Sequence, residues 1–597
     1  MAEKSKGVSL SWLAAIPIVL GAIFAGYPSL QGSKSNVLPS VTIRQGTIVG
    51  RMIDDDFPQP LEGFMGIPYA IPPVGERRFL PAEPVPSSND TIRAFYLGPR
   101  CPGVQLVPFL EDPILGPDYE SEDCLTINIW RRPGHSPAKG KLPVAVLIPG
   151  GAFNRGAARM HNTHSMLAFS EEPFIAVSMQ YRIGVFGGLN TQLTAKEDLL
   201  NLGLKDMYVA LEWVQENIEA FGGNPDDVTI MGLSAAAHGI GHLIMDINQP
   251  KRLFHKAIMD SGAHTARAVH PPSADLNTQH FRELLDLTPC AHFKNLLDPK
   301  VLACLRGLPS ETVDKAGKAV FARSEPSNRW AWQPVMDSNI ISRRPLDAWK
   351  SGKFNRVPIL TGSAHNEGAY YAPKAADKPE DFAKFFRTLL PHLTDVEFAQ
   401  LEALYPDPAS DPNSPYVESR GIEGVGSQYR RLEAAYGHYA YTCPVRQTAI
   451  WATSHSEEDQ PVFLYHWALN KTVLLGANHG DQMRYQTYNK EVREISQAQD
   501  EVAGNLHAYC TSFITKGDPN VIKGKFSNRP EWKGWKGGKG LSMILGDGND
   551  ERAGGTGVGI ASQLQDYKWG DEQYLVKIEL RLVSSGFTQT HVGCDTR

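Results

Sequence analysis

Short runs of strand length alternate with helix-length stretches along this chain, and that rhythm restricts its fold more than any other feature. Leu125 to Trp130, Val144 to Ile148 and Phe174 to Met179 are apolar or alternating segments. Met207, Ala210, Leu211, Val214, Ile218 and Phe221 then recur at the spacing of one helix face, which predicts a helix of about five turns with a single apolar stripe. Gly222-Gly223-Asn224-Pro225 ends it. A further run, Val228 to Met231, leads into a tight turn at Gly232 to Ala236 and a second helix towards Met245. Ala257 to Met259, Val357 to Thr361 and Val462 to His466 supply more strands. Strands that alternate with helices predict an α/β fold, with a central sheet covered on both faces. Upstream, Val41 to Ile53 reads as a hairpin around Arg44-Gln45-Gly46.

A chain of 597 residues has a length prior of about four domains. No internal repeat or low-complexity linker divides it, however, and Pro and Gly are spread throughout. One large domain over residues 41–597 with inserted loops is therefore expected. With 42% hydrophobic and 21% charged residues the chain should fold compactly. A net charge of -6 without a Lys/Arg block argues against nucleic acid as a partner.

The turn Gly232-Leu233-Ser234-Ala235-Ala236 has the form of a nucleophile elbow. There the chain reverses so sharply that the serine backbone is strained, and small residues two places either side are needed to avoid collision. A serine hydroxyl becomes nucleophilic only when a base removes its proton, and the oxyanion that develops needs backbone donors. Pro149-Gly150-Gly151-Ala152-Phe153, directly after the run Val144 to Ile148, is small enough for backbone N–H groups to approach a carbonyl. The pattern by itself also fits a serine N-cap followed by a helix, and the glycines fit an ordinary turn.

Residues 1–30 depart from the globular pattern. Lys4 and Lys6 precede an almost uncharged stretch over residues 8–27, followed by the polar segment Gln31 to Asn36. This reads as a signal peptide and directs the chain to the secretory pathway and secretion. The stretch also has the length of a membrane span, and Ile23-Phe24-Ala25 is a mediocre cleavage site, so a retained membrane anchor is the alternative. Cys101 with Cys124, and Cys290 with Cys304, could close local loops, each bridge worth roughly 3 kcal/mol. Cys443 and Cys510 read as buried thiols, and Cys594 is left over. Without C-x-x-C spacing no structural zinc is expected. Asn89 and Asn470 begin glycosylation sequons.

Several ordered motifs together resemble one family. EDCLTINIW (Glu122 to Trp130), PGGAFNRG (Pro149 to Gly156), SMQYRIGVFGGL (Ser178 to Leu189) and the stretch from Asn201 to Gly239 are similar to type-B carboxylesterases, the cholinesterase and lipase branch of the α/β-hydrolase fold. LFHKAIMDSG (Leu253 to Gly262), LTGSAHNEG (Leu360 to Gly368), NHGDQM (Asn478 to Met483) and TKGDPN (Thr515 to Asn520) extend the likeness beyond residue 535, in the style of secreted fungal members. The resemblance implies a large, mostly parallel sheet with helices on both faces and with lid and pocket insertions. It implies a catalytic triad of Ser234, Glu367 and His479, in the expected chain order of nucleophile, acid and base. Asp481 is the competing acid, or else a surface loop charge. Gly151, Ala152 and Ala235 would form the oxyanion hole. The resemblance pairs Cys101 with Cys124 and Cys290 with Cys304. The first pair encloses Val104, Leu106, Val107, Phe109, Leu110, Ile114 and Leu115, so residues 101–124 would form a lid or pocket wall. Neither cofactor nor metal is implied.

The chain departs from its family at Leu233, where Glu is usual, at Ala236 and Ala152, where Gly is usual, and at Pro149, where His or Tyr is usual. Leu233 makes the pocket drier, and Ala236 adds a methyl group to a crowded turn. The expected activity is hydrolysis of a small-molecule or lipid ester that is hydrophobic. Alternatives are acyl transfer or elimination on a natural product in the same pocket, or a non-catalytic cholinesterase-like binding protein.

Overall fold

The computed structural model describes residues 38–565, apart from 107–111, 136, 325, 327–328 and 456–459, together with the backbone of two short strands near the C-terminus. The leader and Cys594 lie outside the described residues. Strand β1 (Ser40–Ile43) pairs antiparallel with β2 (Gly46–Val49), as the hairpin pattern predicts. The expected hairpin stops there, however. Gly50 donates its N–H to the Pro39 carbonyl at 2.8 Å, and β3 (Arg51–Ile53) joins the main sheet.

The main sheet also contains β4 (Leu61–Pro68), β6 (Thr126–Arg131), β7 (Leu142–Ile148), β8 (Ile175–Met179) and β9 (Gly223–Leu233). It is completed by β10 (Lys256–Asp260), β11 (Ile359–Ala364), β12 (Val462–Trp467), β13 (Ser542–Asn549) and β14 (Val558–Gln565). β5 (Thr91–Arg93) belongs with β1 and β2 in a small sheet, and β15 (Leu582–Ser584) pairs with β16 (Phe587–Gln589). The 11-stranded order is β14-β13-β12-β11-β10-β9-β7-β8-β6-β4-β3, parallel from β8 through β13 and antiparallel at both edges.

Strand sequences explain why both faces are covered. In β7, Val144, Val146 and Ile148 enter one core cluster while Ala145 and Leu147 enter the other. Adjacent side chains of a strand point to opposite faces, so an unbroken apolar run requires helices on each side. One of these is the helix Leu202–Asn217, continued as a 3-10 turn to Phe221; its predicted stripe is buried, and Gly222 closes it at φ 92°. The chain leaves β7 for β8 on one side and leaves β9 for β10 on the other. Loops that depart in opposite directions open a crevice at the strands' C-terminal ends. Ile148 sits beside Gly232 across this switch, so Pro149–Gly156 and the turn at Ser234 emerge next to each other.

Disulfides join Cys101 to Cys124 and Cys290 to Cys304, with Cα atoms 5.1 and 6.1 Å apart. Cys510 is a buried free thiol as expected, but Cys443 is disulfide-bonded, which corrects its reading as a thiol. Sequence spacing carried no sign of that bridge. Asn89 is exposed in a loop, and Asn470 is half-buried. In the loop closed by the first disulfide, Ile114 and Leu115 pack against the core, whereas Leu106 is exposed at the crevice beside the Ser234 turn. Val107, Phe109 and Leu110 lie outside the described residues. Among the described residues no helix is long and apolar enough to cross a membrane.

Candidate active site

Ser234 follows β9 directly and precedes the helix Ala235–Met245, with φ 60° and ψ -122°. A non-glycine residue in such a conformation costs about 1–3 kcal/mol and persists only where its surroundings enforce it. Here the Ser234 N–H donates to the Asp260 carbonyl at 2.8 Å, and the Ser234 carbonyl accepts the His238 N–H at 2.9 Å. A Cβ on Gly232 would come within 2.5 Å of the Ala236 methyl, so the turn holds Ala236 only because residue 232 has no side chain. The methyl group expected to crowd the elbow is accommodated in this way.

The loop after β7 lies against this turn. Gly151, Ala152 and Phe153 all have positive φ, at 124°, 55° and 58°. The Gly151 carbonyl accepts the Asn154 and Arg155 N–H groups at 3.0 and 2.9 Å, closing the turn. Asn154 Nδ2 and Gln333 Nε2 hold the Ala152 carbonyl from the side at 3.0 and 2.9 Å. A carbonyl so anchored fixes its peptide planes, which preorganises backbone donors.

Glu367 follows β11 and is buried. His479 Nδ1–H donates to Glu367 Oε2 at 2.5 Å, while Glu367 Oε1 accepts the Ala364 N–H at 2.6 Å. Asn366 stitches the two loops together: its N–H donates to the Ala477 carbonyl at 2.8 Å, and its Oδ1 accepts the Ala477 N–H at 3.1 Å. Asp481 is buried and pairs with Lys471 Nζ at 2.7 Å, so it is neither a surface charge nor the partner of the imidazole. Burial raises its carboxyl above the ordinary range, against the pull of Lys471. Ser234, Gly151, Ala152, Leu233 and His479 all line one cavity of about 1130 Å³, whose wall includes Trp330 and Tyr371. That volume exceeds what a small ester needs.

Three neighbours of the site carried no local sequence signal. The Tyr441 ring lies 4.4 Å from the His479 ring, positioned by the π-helical turn His438–Thr442. His238, one helical turn beyond Ser234, is buried and accepts the Ala263 N–H at Nδ1 over 3.1 Å. Burial holds it well below the usual histidine range, so it stays neutral. Asp260 sits beneath the elbow, its Oδ1 accepting the Tyr465 hydroxyl at 2.6 Å. Burial pushes its carboxyl up to about 6, against the lowering effect of that hydrogen bond.

The raised value at Asp260 means that the folded protein holds a proton which the unfolded chain has already released. Its contribution to stability therefore falls as pH rises from about 4 to 6 and stays lost above that. Asp260→Asn keeps an acceptor for Tyr465 but removes the charge. It is expected to flatten the pH dependence of urea unfolding over that window and to raise stability at pH 7 by about 3 kcal/mol. An unchanged pH slope would mean that Asp260 is not the titrating group.

The comparisons with known proteins bear on the fold and the family. The crystal structure of Aspergillus niger EstA matches with a TM-score of 0.73 at 24% identity, over 90% of this chain and 97% of that one, a likeness of fold. Secreted lipase 4 of Gibberella zeae is 32% identical over 495 residues, 82% of this chain and 85% of that protein. Acetylcholinesterase of Bungarus fasciatus is 30% identical over 490 residues, 77% and 75% of the two chains. The family model described as "Carboxylesterase family" matches residues 38–550, from the first described residue through the last parallel strand. A match across every parallel strand and the loops between them places this chain in the carboxylesterase family.

Proposed function

We propose that this protein hydrolyses a hydrophobic carboxylic ester through an acyl-enzyme on Ser234. One observation carries the reading: the strained Ser234 opens into the same cavity as His479, whose Nδ1 is bound to the buried Glu367. In the acylation step His479 Nε2 takes the Ser234 proton as Oγ attacks the ester carbonyl, then passes it to the leaving alcohol. Glu367 holds the imidazole in the Nδ1–H tautomer and stabilises its positive form. The N–H groups of Gly151, Ala152 and Ala235 receive the oxyanion, each donor contributing about 3 kcal/mol. Water then repeats the sequence on the acyl-enzyme and releases the acid. Leu106 and its disulfide-closed loop serve as a lid or pocket wall, and residues 1–30 as the leader that sends the chain to secretion; the Gibberella relative is named as a secreted lipase.

A fluorophosphonate probe tests the reading because it reacts only with an activated serine. Stoichiometric labelling mapped to Ser234, and lost in His479→Ala, is expected. Unlabelled protein would favour the non-catalytic binding alternative. Products formed with a competing alcohol distinguish hydrolysis from acyl transfer, since exclusive release of free acid is the expected outcome.

A further inference from the structure

Trp330, in the wall of the catalytic cavity, is flanked by two guanidinium groups that no carboxylate among the described residues neutralises. The Arg155 guanidinium lies 5.7 Å from the centre of the Trp330 ring and 5.2 Å from that of Phe321. The Arg267 guanidinium lies 5.5 Å from Trp330 and 5.0 Å from Tyr441. Arg267 is buried and donates only to the Tyr441 hydroxyl at 2.7 Å and the Ala266 carbonyl at 3.1 Å among the described residues. Arg155 is half-buried and lines the cavity, and its Nε is enclosed without an acceptor among the described residues. Other buried arginines are compensated: Arg78 by Glu122 at 2.6 Å, Arg182 by Asp206 at 2.7 Å, and Arg529 by three backbone carbonyls.

Leaving a buried charge without a counter-ion is unfavourable. The mouth of the cavity carries the same sign, with Lys384 and Arg484; Arg484 is paired to Glu491. Asp381 is the only carboxylate among the described lining residues, and it is occupied by the N–H groups of Asp377 and Lys378 at 2.9 and 3.0 Å. Attraction between a guanidinium and an oxyanion is strengthened in an enclosed site, and the planar fork of arginine matches a carboxylate.

We propose that the natural ester of this protein carries an anionic group, a carboxylate or an equivalent oxyanion, seated against Arg155 with Arg267 behind Trp330. A flat apolar portion of the substrate lies on the Trp330 and Tyr371 rings. The inference rests on the reading that Ser234 hydrolyses esters in this cavity.

Two matched pairs of esters test it with the full-length protein: 4-acetoxybenzoate against 4-acetoxybenzamide, and the 4-nitrophenyl monoester of suberic acid against 4-nitrophenyl octanoate. In at least one pair kcat/KM is expected to favour the anion. Arg155→Met should lower that preference by about ten-fold or more, Arg155→Lys should recover part of it, and Arg267→Met should lower it less. A preference that is absent, or that is equal in the parent protein and Arg155→Met while Ser234 remains essential, would overturn the proposal and leave ester hydrolysis standing. Should Ser234→Ala turn over esters as well as the parent does, the catalytic reading fails instead. Equilibrium binding of biphenyl-4-carboxylate against its carboxamide, followed by tryptophan fluorescence, then decides. Tighter binding of the carboxylate that disappears in Arg155→Met supports the anion site, and equal affinities in the parent protein reject it.

Discussion

Replacing Ser234 with alanine is expected to lower kcat for 4-nitrophenyl butyrate by about 10⁶-fold, with His479→Ala close behind and the double variant no worse than either. The non-additivity follows from the chemistry. A serine without its base is a neutral hydroxyl, and a base without its serine has no bond to form, so each deletion removes the same step. Glu367→Gln should cost about 10⁴-fold, because an amide cannot hold the imidazole in its Nδ1–H tautomer or stabilise its cation. Asp481→Asn should cost less than about ten-fold, since Asp481 is held by Lys471 and the Asn478 N–H at 3.1 Å. Steady-state rates for the four single variants and the double variant, with thermal melts to show intact folding, decide the assignment. Equal losses for Glu367→Gln and Asp481→Asn would sink it.

Gly156→Ala is expected to lower kcat by about 10²–10³-fold with a smaller change in KM. Gly156 sits at φ 97°, where a side chain is strained, and a Cβ there would come within 1.9 Å of the Gly150 carbonyl oxygen. Because a backbone atom cannot rotate away, Gly150 and Gly151 must shift. Displacing an oxyanion donor costs about 3 kcal/mol of transition-state stabilisation and little of ground-state binding. Gly140→Ala is the control. Its φ of 101° imposes the same strain, but nothing lies within 4 Å of its added Cβ. It should cost about 1 kcal/mol of stability and leave kcat unchanged. Similar kcat losses in both variants would show that strain alone, and not the loop's contact with Gly150, governs activity.

Much of the frame was legible in advance, and the errors have local causes. Strand Val228–Met231 proved to be β9, Gly223–Leu233, because Asp226 and Asp227 hide its polar beginning while pairing with β7 extends it. The hairpin ran too far, to Ile53, because alternation marks a strand without saying which sheet receives it. The bridge at Cys443 was missed because the residues around it carry no close cysteine spacing to read.

The candidate site divides along the same line. The sequence by itself determined the α/β class, the Gly232–Ala236 turn and the glycine-rich loop after β7, since each depends on residue size and on neighbours a few positions away. The resemblance already preferred Glu367 to Asp481 as the acid, and the tertiary structure shows which of the two carboxylates meets the imidazole. Glu367 is 112 residues from His479 in the chain yet 2.5 Å from it in space, while the nearer carboxylate is spent on Lys471. Tertiary structure alone placed Arg155 and Arg267 beside Trp330, and Tyr441 beside Arg267. Chain neighbours within a few residues set the local conformation, but the charge a pocket presents is set by side chains from separate loops, and only the packed sheet brings them together.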